Sequence, residues 1–335
     1  MGRFVAGDAP ELDRALADAL VAIGREVSEM RIPLLFGVVL GGGYGRGEGG
    51  ARGELKVESS KFKVESSKSD VACRLSNDLD FFAITKEGTT DVDAAAVAKA
   101  LEPVSRRWTE KLGIDVDFTS KTPWRIRHDQ ERLMVQELIH GYVDVAGATG
   151  EELFAGIPSR EPSELPWIEA ARLLMNRGMG LLLAKSKMES AKCEVDFINR
   201  NINKCILGAG DARLIANRKY RWRAPERAEA LRDQMYRKAV AWKFRPTESA
   251  VCDWNTARDV WRAACEEVME NGACRGALGR SLREAARWVV RRRTLGAPAS
   301  FGQNCTVRVL CGVKRCIEKR LPLPEALRRD WEIFN

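Results

Sequence analysis

An apolar run that ends abruptly in a glycine cluster is the feature that most constrains this sequence. Residues 32–40 (IPLLFGVVL) are apolar, rich in branched side chains and short enough to form a buried strand. Seven of the chain's 28 glycines follow directly, within residues 41–50 (GGGYGRGEGG). Glycine allows positive φ and close approach of the backbone, and successive exposed N–H groups form a concave site for anions. The pattern predicts a strand followed by a positioned, phosphate-binding turn rather than a flexible surface loop.

Two common glycine-loop chemistries fit this context poorly. A P-loop ends in Gly-Lys-Ser/Thr, whereas RGE occupies positions 46–48 here. Gly45, Gly47 and Gly50 satisfy the dinucleotide-binding pattern G-x-G-x-x-G. That pattern requires a helix immediately afterwards, and a polar tandem heptapeptide (KVESSKF KVESSKS, 56–69) lies downstream instead.

Two pairs of aspartates follow the glycine cluster. Asp78 and Asp80 surround Leu79 in the segment NDLDFF, and Asp115 and Asp117 surround a valine. Residues i and i+2 of a strand point to the same face, so each pair presents two carboxylates side by side. Close carboxylates repel, and Mg²⁺ prefers oxygen ligands while leaving positions open for phosphates. The pairs indicate a three-carboxylate metal site, the alternative being solvent-facing acids on an edge strand.

The order strand, Gly-Gly loop, Asp-x-Asp strand, helix and further acid resembles the DNA-polymerase-β-like nucleotidyltransferase superfamily over roughly residues 30–150. The segment GGYGRGE (42–48) is similar to the loop of bacterial PII-protein uridylyltransferases. Residues 200–204 and 210–215, with Tyr220 behind them, look like the helical domain that follows this core in many bacterial members. The resemblance implies an α/β (α+β) core with a mixed sheet, then an all-helical domain, with the active site in the cleft between them.

The resemblance also implies roles for the acids. Asp78 and Asp80 would bind two Mg²⁺ ions, or Mn²⁺, one of which would also bridge the triphosphate of an NTP substrate. Asp117, or else Asp115, would share the catalytic metal and help to deprotonate an acceptor hydroxyl. The residues alone leave the third acid open, with Asp117 favoured because Thr119-Ser120 indicates a polar exit at the end of its strand.

Further implied contacts concern the nucleotide. Gly42 and Gly43 would hold the triphosphate through backbone N–H groups, and Tyr44 of the same loop would also contact the nucleotide. Arg46 either touches the substrate or pairs with Glu48, and Lys204 either reaches the β/γ-phosphates or is a solvated helix charge.

Two departures from the superfamily pattern stand out. Gly43 occupies a position where many members have serine, so a hydroxyl that would bind phosphate is missing. The spacing from Gly43 to Asp78 is 35 positions (78 − 43), against the usual dozen or so. We expect a polar insertion at residues 54–75, which includes the tandem heptapeptide, to form a solvated loop or short ribbon.

The character of the sequence changes near residue 160. The predicted elements before it are a helix at 9–30 with Asp8 as N-cap, then strands and one helix up to a strand at 114–118. After it, helical periodicity dominates, with stretches at 166–190, 194–217, 225–244, 248–271 and 280–293. We therefore expect a core at 1–160 and a helical domain at 161–335.

Composition narrows the class of protein. No run of about 18 apolar residues and no secretory signal is present, so a cytoplasmic protein without membrane contact is expected. Nine cysteines without a CxxC pair indicate reduced packing residues. The net charge of +8 favours polyanionic partners, and the basic and aromatic residues of 213–223 suit RNA or a solvated face equally.

The resemblance implies an enzyme that transfers a nucleoside monophosphate from an NTP to an acceptor hydroxyl. The acceptor is left open among a small molecule, RNA and a protein. The alternative is a non-catalytic nucleotide- or RNA-binding module on the same fold.

Overall fold

The computed structural model of the chain describes residues 3–7, 9–53, 74–190, 193–273 and 305–334. The chain forms two compact units: Met1–Arg160 with Lys243–Pro246, and Glu161–Trp242 with Thr247–Asn335. None of the helices in the described ranges has an apolar stretch long enough to cross a membrane.

The first unit is built on a four-stranded sheet. Its described strands are β1 (Leu35–Leu40), β2 (Ala51–Arg52), β3 (Arg74–Leu75), β4 (Leu79–Thr85), β5 (Val116–Lys121) and β6 (Val143–Gly147). Its described helices are α1 (Pro10–Glu29), α2 (Gly42–Gly45), α3 (Asp91–Leu112), α4 (Pro123–His128), α5 (Leu133–Ile139) and α6 (Gly150–Leu153). The sheet order is β5-β4-β1-β6, and β2 and β3 form a separate ribbon.

Strand directions make the sheet mixed. β1 pairs antiparallel with both β4 and β6, whereas β4 pairs parallel with β5. A parallel pair needs a crossover connection, which α3 provides. This helix begins at a capping box of Thr90 and Asp93 and ends at Gly113, whose φ of 68° is left-handed. The first unit is therefore α+β, as the sequence predicts for the core.

Helices cover both faces of the sheet, which explains its apolar strands. On one face Leu40 and Phe81 pack with residues of α1 and α3. On the other face Val39 and Phe82 pack with residues of α4, α5 and α6. Six of the seven residues of β4 are buried, and Asp80 is the exception. Asp80 is the second residue of the strand and is exposed.

The second unit consists of helices in its described part. They are α7 (Trp167–Met188), α8 (Val195–Ala216), α9 (Ala224–Leu231), α10 (Gln234–Phe244, whose last two residues belong to the first unit), α11 (Trp254–Ala273), α12 (Cys305–Lys319) and α13 (Glu325–Phe334), with a short 3₁₀ turn at Pro162–Glu164 before them. Indole N–H groups join the helices, since Trp261 donates to the Leu174 carbonyl and Trp254 to the Leu181 carbonyl, both at 2.9 Å. Trp261 is completely buried, so its side chain is part of the helical core.

Several predicted elements change in detail. The strand expected at 114–118 begins at Val116 and continues to Lys121, and the single helix expected at 225–244 is broken at Arg232, whose φ is 56°. Asp8 lies outside the described residues, and the N-cap of α1 is Ala9. The segment before α1 is bound by another acid. The Asp13 carboxylate accepts hydrogen bonds from the N–H groups of residues 3–5.

The polar insertion is described only at its ends. The tandem heptapeptide at 56–69 and the helix expected at 280–293 lie outside the described residues. Of the predicted insertion at 54–75, Arg74 and Leu75 form β3 and pair with Arg52 and Ala51 of β2. In sequence, β2 follows the glycine cluster and β3 comes just before the residues that precede β4.

Candidate functional site

The four predicted acids lie at one end of the sheet. Asp80 is the second residue of β4 and Asp117 the second residue of β5, and the parallel ladder pairs them directly. Asp78 and Asp115 precede their strands, and the N–H of Leu79 donates to the Asp115 carbonyl at 2.8 Å. Partners in a parallel ladder present their side chains on the same face. The register therefore places Asp80 and Asp117 side by side.

The electrostatics of this end of the sheet are unfavourable for the Asp117 carboxylate. Asp80, Asp115 and Asp117 are exposed and Asp78 is half-buried. Partial burial, and then the negative charges of Asp115 and Asp78, raise the pKa of Asp117 above its ordinary value. The cluster thus carries negative charge that a cation would compensate.

Asp117 lies at the opposite end of its strand from the one that the sequence predicts. The prediction placed this residue near the C-terminal exit, and it was wrong, because Asp117 lies at the N-terminal start of β5. It still lies at the same end of the sheet as Asp78 and Asp80, because β4 and β5 are parallel and both begin there.

The glycine turn, residues 41–50, follows β1 and lies at the same end of the sheet. Since β1 is antiparallel to β4, its last residue lies beside the start of β4, and the N–H of Gly41 donates to the Asp80 carbonyl at 2.8 Å. The chain then makes the single turn α2, closed by a 2.9 Å bond from the Gly45 N–H to the Gly41 carbonyl. Gly42 has a φ of 61°, and a Cβ built on it would lie 2.4 Å from Oδ2 of Asp80. Only glycine allows the turn to contact this carboxylate so closely.

Gly42→Ala is expected to lower stability and to displace Asp80. A left-handed backbone costs a non-glycine residue about 1–2 kcal/mol, and the new methyl group would also collide with the carboxylate. Gly88→Ala is the matched control, because Gly88 has a φ of 79° and a Cβ added to it would meet nothing within 4 Å. Thermal unfolding of both variants measures the difference, and a melting midpoint for Gly42→Ala no lower than that of Gly88→Ala would contradict the close contact.

Tyr44 is a buried residue of the glycine turn. Its side chain is 1% exposed, and its hydroxyl donates to the Gly50 carbonyl at 2.8 Å. The same oxygen accepts from the N–H groups of Ser76 and Asn77 at 3.1 and 3.2 Å. The hydroxyl of Tyr44 thus binds the protein's own backbone, and the predicted contact of this residue with a nucleotide stays a prediction.

Arg46 lies in a network of ionic side chains. Its guanidinium is 3.4 Å from the Glu137 carboxylate and 4.0 Å from that of Glu48. Glu48 is fully buried and also accepts a 2.9 Å hydrogen bond from Lys243. Arg46 therefore lies closer to Glu137 than to Glu48, the partner that the sequence offers, and its contact with a substrate stays a prediction. The sequence does not predict the roles of Glu137 and Lys243, because both lie far from Arg46 and Glu48 in sequence and match no motif.

Lys204 and the basic–aromatic stretch belong to the second unit. Lys204 is a half-buried residue of α8, and its predicted contact with phosphates stays a prediction. Tyr220 is fully buried, and its hydroxyl accepts a 3.0 Å bond from the buried Arg227. Of the aromatic residues that the sequence interleaves with arginines, Tyr220 is thus part of the core.

Among the described residues, no three His, Cys, Asp or Glu side chains lie closely enough together to hold a metal ion. The backbone register aligns the aspartates, but their carboxylates do not converge on one point. Comparison with known proteins returned no matching family model, no matching curated protein and no matching solved structure.

Proposed function

We propose that the first unit is a nucleotidyltransferase, which moves a nucleoside monophosphate from an NTP to an acceptor hydroxyl and releases pyrophosphate. One observation carries the proposal: the glycine turn and both aspartate pairs occupy the same end of the sheet, with Gly42 against the Asp80 carboxylate. Phosphoryl-type transfer depends on positioning and on neutralising charge, so a phosphate-binding turn beside aligned carboxylates suits it. The resemblance of the motif order to the DNA-polymerase-β-like superfamily supports the same reaction.

The donor set fits Mg²⁺ or Mn²⁺. Asp78, Asp80 and Asp117 offer hard carboxylate oxygens, with Asp115 as a further candidate, and these are the ligands such ions prefer. The repulsion that contributes to the raised pKa of Asp117 is one that a divalent cation would offset. The carboxylates would have to turn toward one another on binding. The ions, when bound, would act as Lewis acids on the attacking and leaving oxygens.

Other residues of the chain would then bind the triphosphate and accept a proton. A helix offers no internal acceptor to the N–H groups of its first turn, so Gly42 and Gly43 can donate to the triphosphate. Arg46 would add positive charge close to that turn, with its guanidinium 3.4 Å from the Glu137 carboxylate. Asp117 would accept the proton of the acceptor hydroxyl, which makes that oxygen nucleophilic.

Label transfer tests the proposal. The protein is incubated with each α-³²P-labelled NTP and Mg²⁺, with and without cellular RNA, and label on RNA, protein or small molecules is separated and counted. We expect transfer from at least one α-labelled NTP and none from its γ-labelled form, since the β- and γ-phosphates leave as pyrophosphate. Transfer only from the γ-labelled NTP would indicate phosphoryl transfer instead. Saturable NTP binding without transfer of either label would favour the non-catalytic binding module.

A further inference from the structure

The position of Asp78 is not set by the sheet alone. Asp78 precedes β4, so the ladder to β5 begins one residue after it, at Leu79. The backbone immediately before Asp78 is held by the β2–β3 ribbon on one side and by hydrogen bonds to the glycine cluster.

Tyr44 provides such contacts with its hydroxyl. The group donates one hydrogen bond to Gly50 and accepts two, from the N–H groups of Ser76 and Asn77, at 2.8 to 3.2 Å. One donated and two accepted bonds use the whole capacity of a phenol. The ring fits closely, because a Cβ built on Gly49 would lie 2.0 Å from Cδ1 of Tyr44. Tyr44 thus joins the glycine turn to the two residues ahead of Asp78.

Asn77 makes the reciprocal contact. Its side-chain oxygen accepts a 2.6 Å hydrogen bond from the Gly50 N–H, while the Ser76 N–H lies 3.2 Å from the Gly50 carbonyl. Both polar groups of the Gly50 backbone are therefore bound to the segment before Asp78. Tyr44 and Asn77 form one tie between the phosphate-binding turn and the first acid.

We propose that Tyr44 and Asn77 are positioning residues that fix Asp78 relative to the glycine turn and thereby set the concentration of Mg²⁺ at which an NTP binds. The proposal rests on the proposed function, since it assigns Asp78 to the metal. Substitutions that remove these hydrogen bonds are expected to weaken Mg²⁺-dependent NTP binding and to lower turnover while the protein stays folded.

The test compares Tyr44→Phe and Asn77→Ala with the wild type. Binding of a non-hydrolysable NTP analogue is titrated with Mg²⁺ by calorimetry, and the Mg²⁺ midpoint is the primary readout. We expect the midpoint to rise by about 10-fold or more in each variant, because groups that orient metal ligands commonly contribute 10- to 100-fold. Where transfer is measured, kcat should fall while KM for the NTP at saturating Mg²⁺ changes by less than about 3-fold.

Tyr142→Phe is the matched control, because Tyr142 belongs to the same unit and its ring packs edge-on against Phe154 rather than on the glycine turn. Its Mg²⁺ midpoint should equal that of the wild type. Thermal unfolding without Mg²⁺ identifies any variant that is unfolded at the titration temperature, and Asn77→Ala then decides the question if Tyr44→Phe is unfolded.

The measurements distinguish failure of the positioning role from failure of the proposed reaction. Unchanged Mg²⁺ midpoints in both variants would overturn the positioning role even if the wild type transfers label. A raised midpoint in both variants, with no label transfer by the wild type, would support the tie and contradict the proposed reaction. A wild type whose NTP binding does not depend on Mg²⁺ would overturn both.

Discussion

Asp80→Asn is expected to reduce nucleotidyl transfer by at least about a thousandfold, equivalent to ~4 kcal/mol of transition-state stabilisation. Asparagine keeps the size of the side chain but removes the charge that would hold the cation beside Gly42 and Asp117. Asp78→Asn should have an effect of the same order for the same reason. Steady-state transfer of label from the preferred NTP at saturating Mg²⁺ measures both.

The same substitutions should leave the fold intact. The pKa of Asp117 is raised in the folded protein by burial, by Asp115 and by Asp78, so its ionisation at neutral pH costs stability. Asn at position 78 removes one of the repelling charges, and the melting midpoint without Mg²⁺ should therefore stay level or rise slightly. Loss of activity then reflects the site and not unfolding.

Asp18→Asn provides the control for charge alone, because Asp18 is an exposed acid on α1 and is not one of the four acids. It should transfer label at the wild-type rate. Mg²⁺ plus NTP should raise the melting midpoint of the wild type and of this control, as any ligand of the native state does, and fail to do so for Asp80→Asn. Near wild-type turnover in either Asp78→Asn or Asp80→Asn would remove these residues from the reaction.

The parts of this site that were predictable from the sequence depend on local chain geometry. The strand before the glycine cluster is visible because six consecutive apolar or small residues end at a turn that needs positive φ, which Gly42 adopts. The position of Asp80 at the beginning of β4 is visible because the apolar residues that follow it predict a strand. Both features require only a few neighbouring residues to be read together.

What could not be predicted depends on contacts between distant residues. The strand order β5-β4-β1-β6 decides which acids meet, and alternation along one strand contains no information about its neighbours. The burial of Glu48 with Lys243, 195 positions away, leaves no spacing signal. Tyr44 looks like a loop residue in sequence, and only the return of the chain at Ser76 and Asn77 shows its hydroxyl to be enclosed.

The register also bears on the identity of the third acid. Asp117 is paired with Asp80 in the ladder, on the face that Asp80 shares with the glycine turn. Asp115 lies before the first residue of β5, and its carbonyl is bound to the N–H of Leu79. Of the two, Asp117 is therefore the better placed to share a cation with Asp80 and to meet an acceptor hydroxyl.

Asp117→Asn is accordingly expected to lower kcat by about 100-fold or more, with the Kd of the NTP changed by less than about 3-fold. A base that acts on the acceptor matters mainly in the transition state, so binding of the first substrate should be nearly unaffected. Asp115→Asn is the matched variant, with the same chemical change two residues away, and should retain most of the wild-type kcat. Single-turnover transfer and calorimetric binding of an NTP analogue separate the two effects. If Asp115→Asn is inactive while Asp117→Asn is nearly silent, the assignment of the third acid is exchanged; if both variants keep wild-type kcat, the three-carboxylate mechanism is wrong.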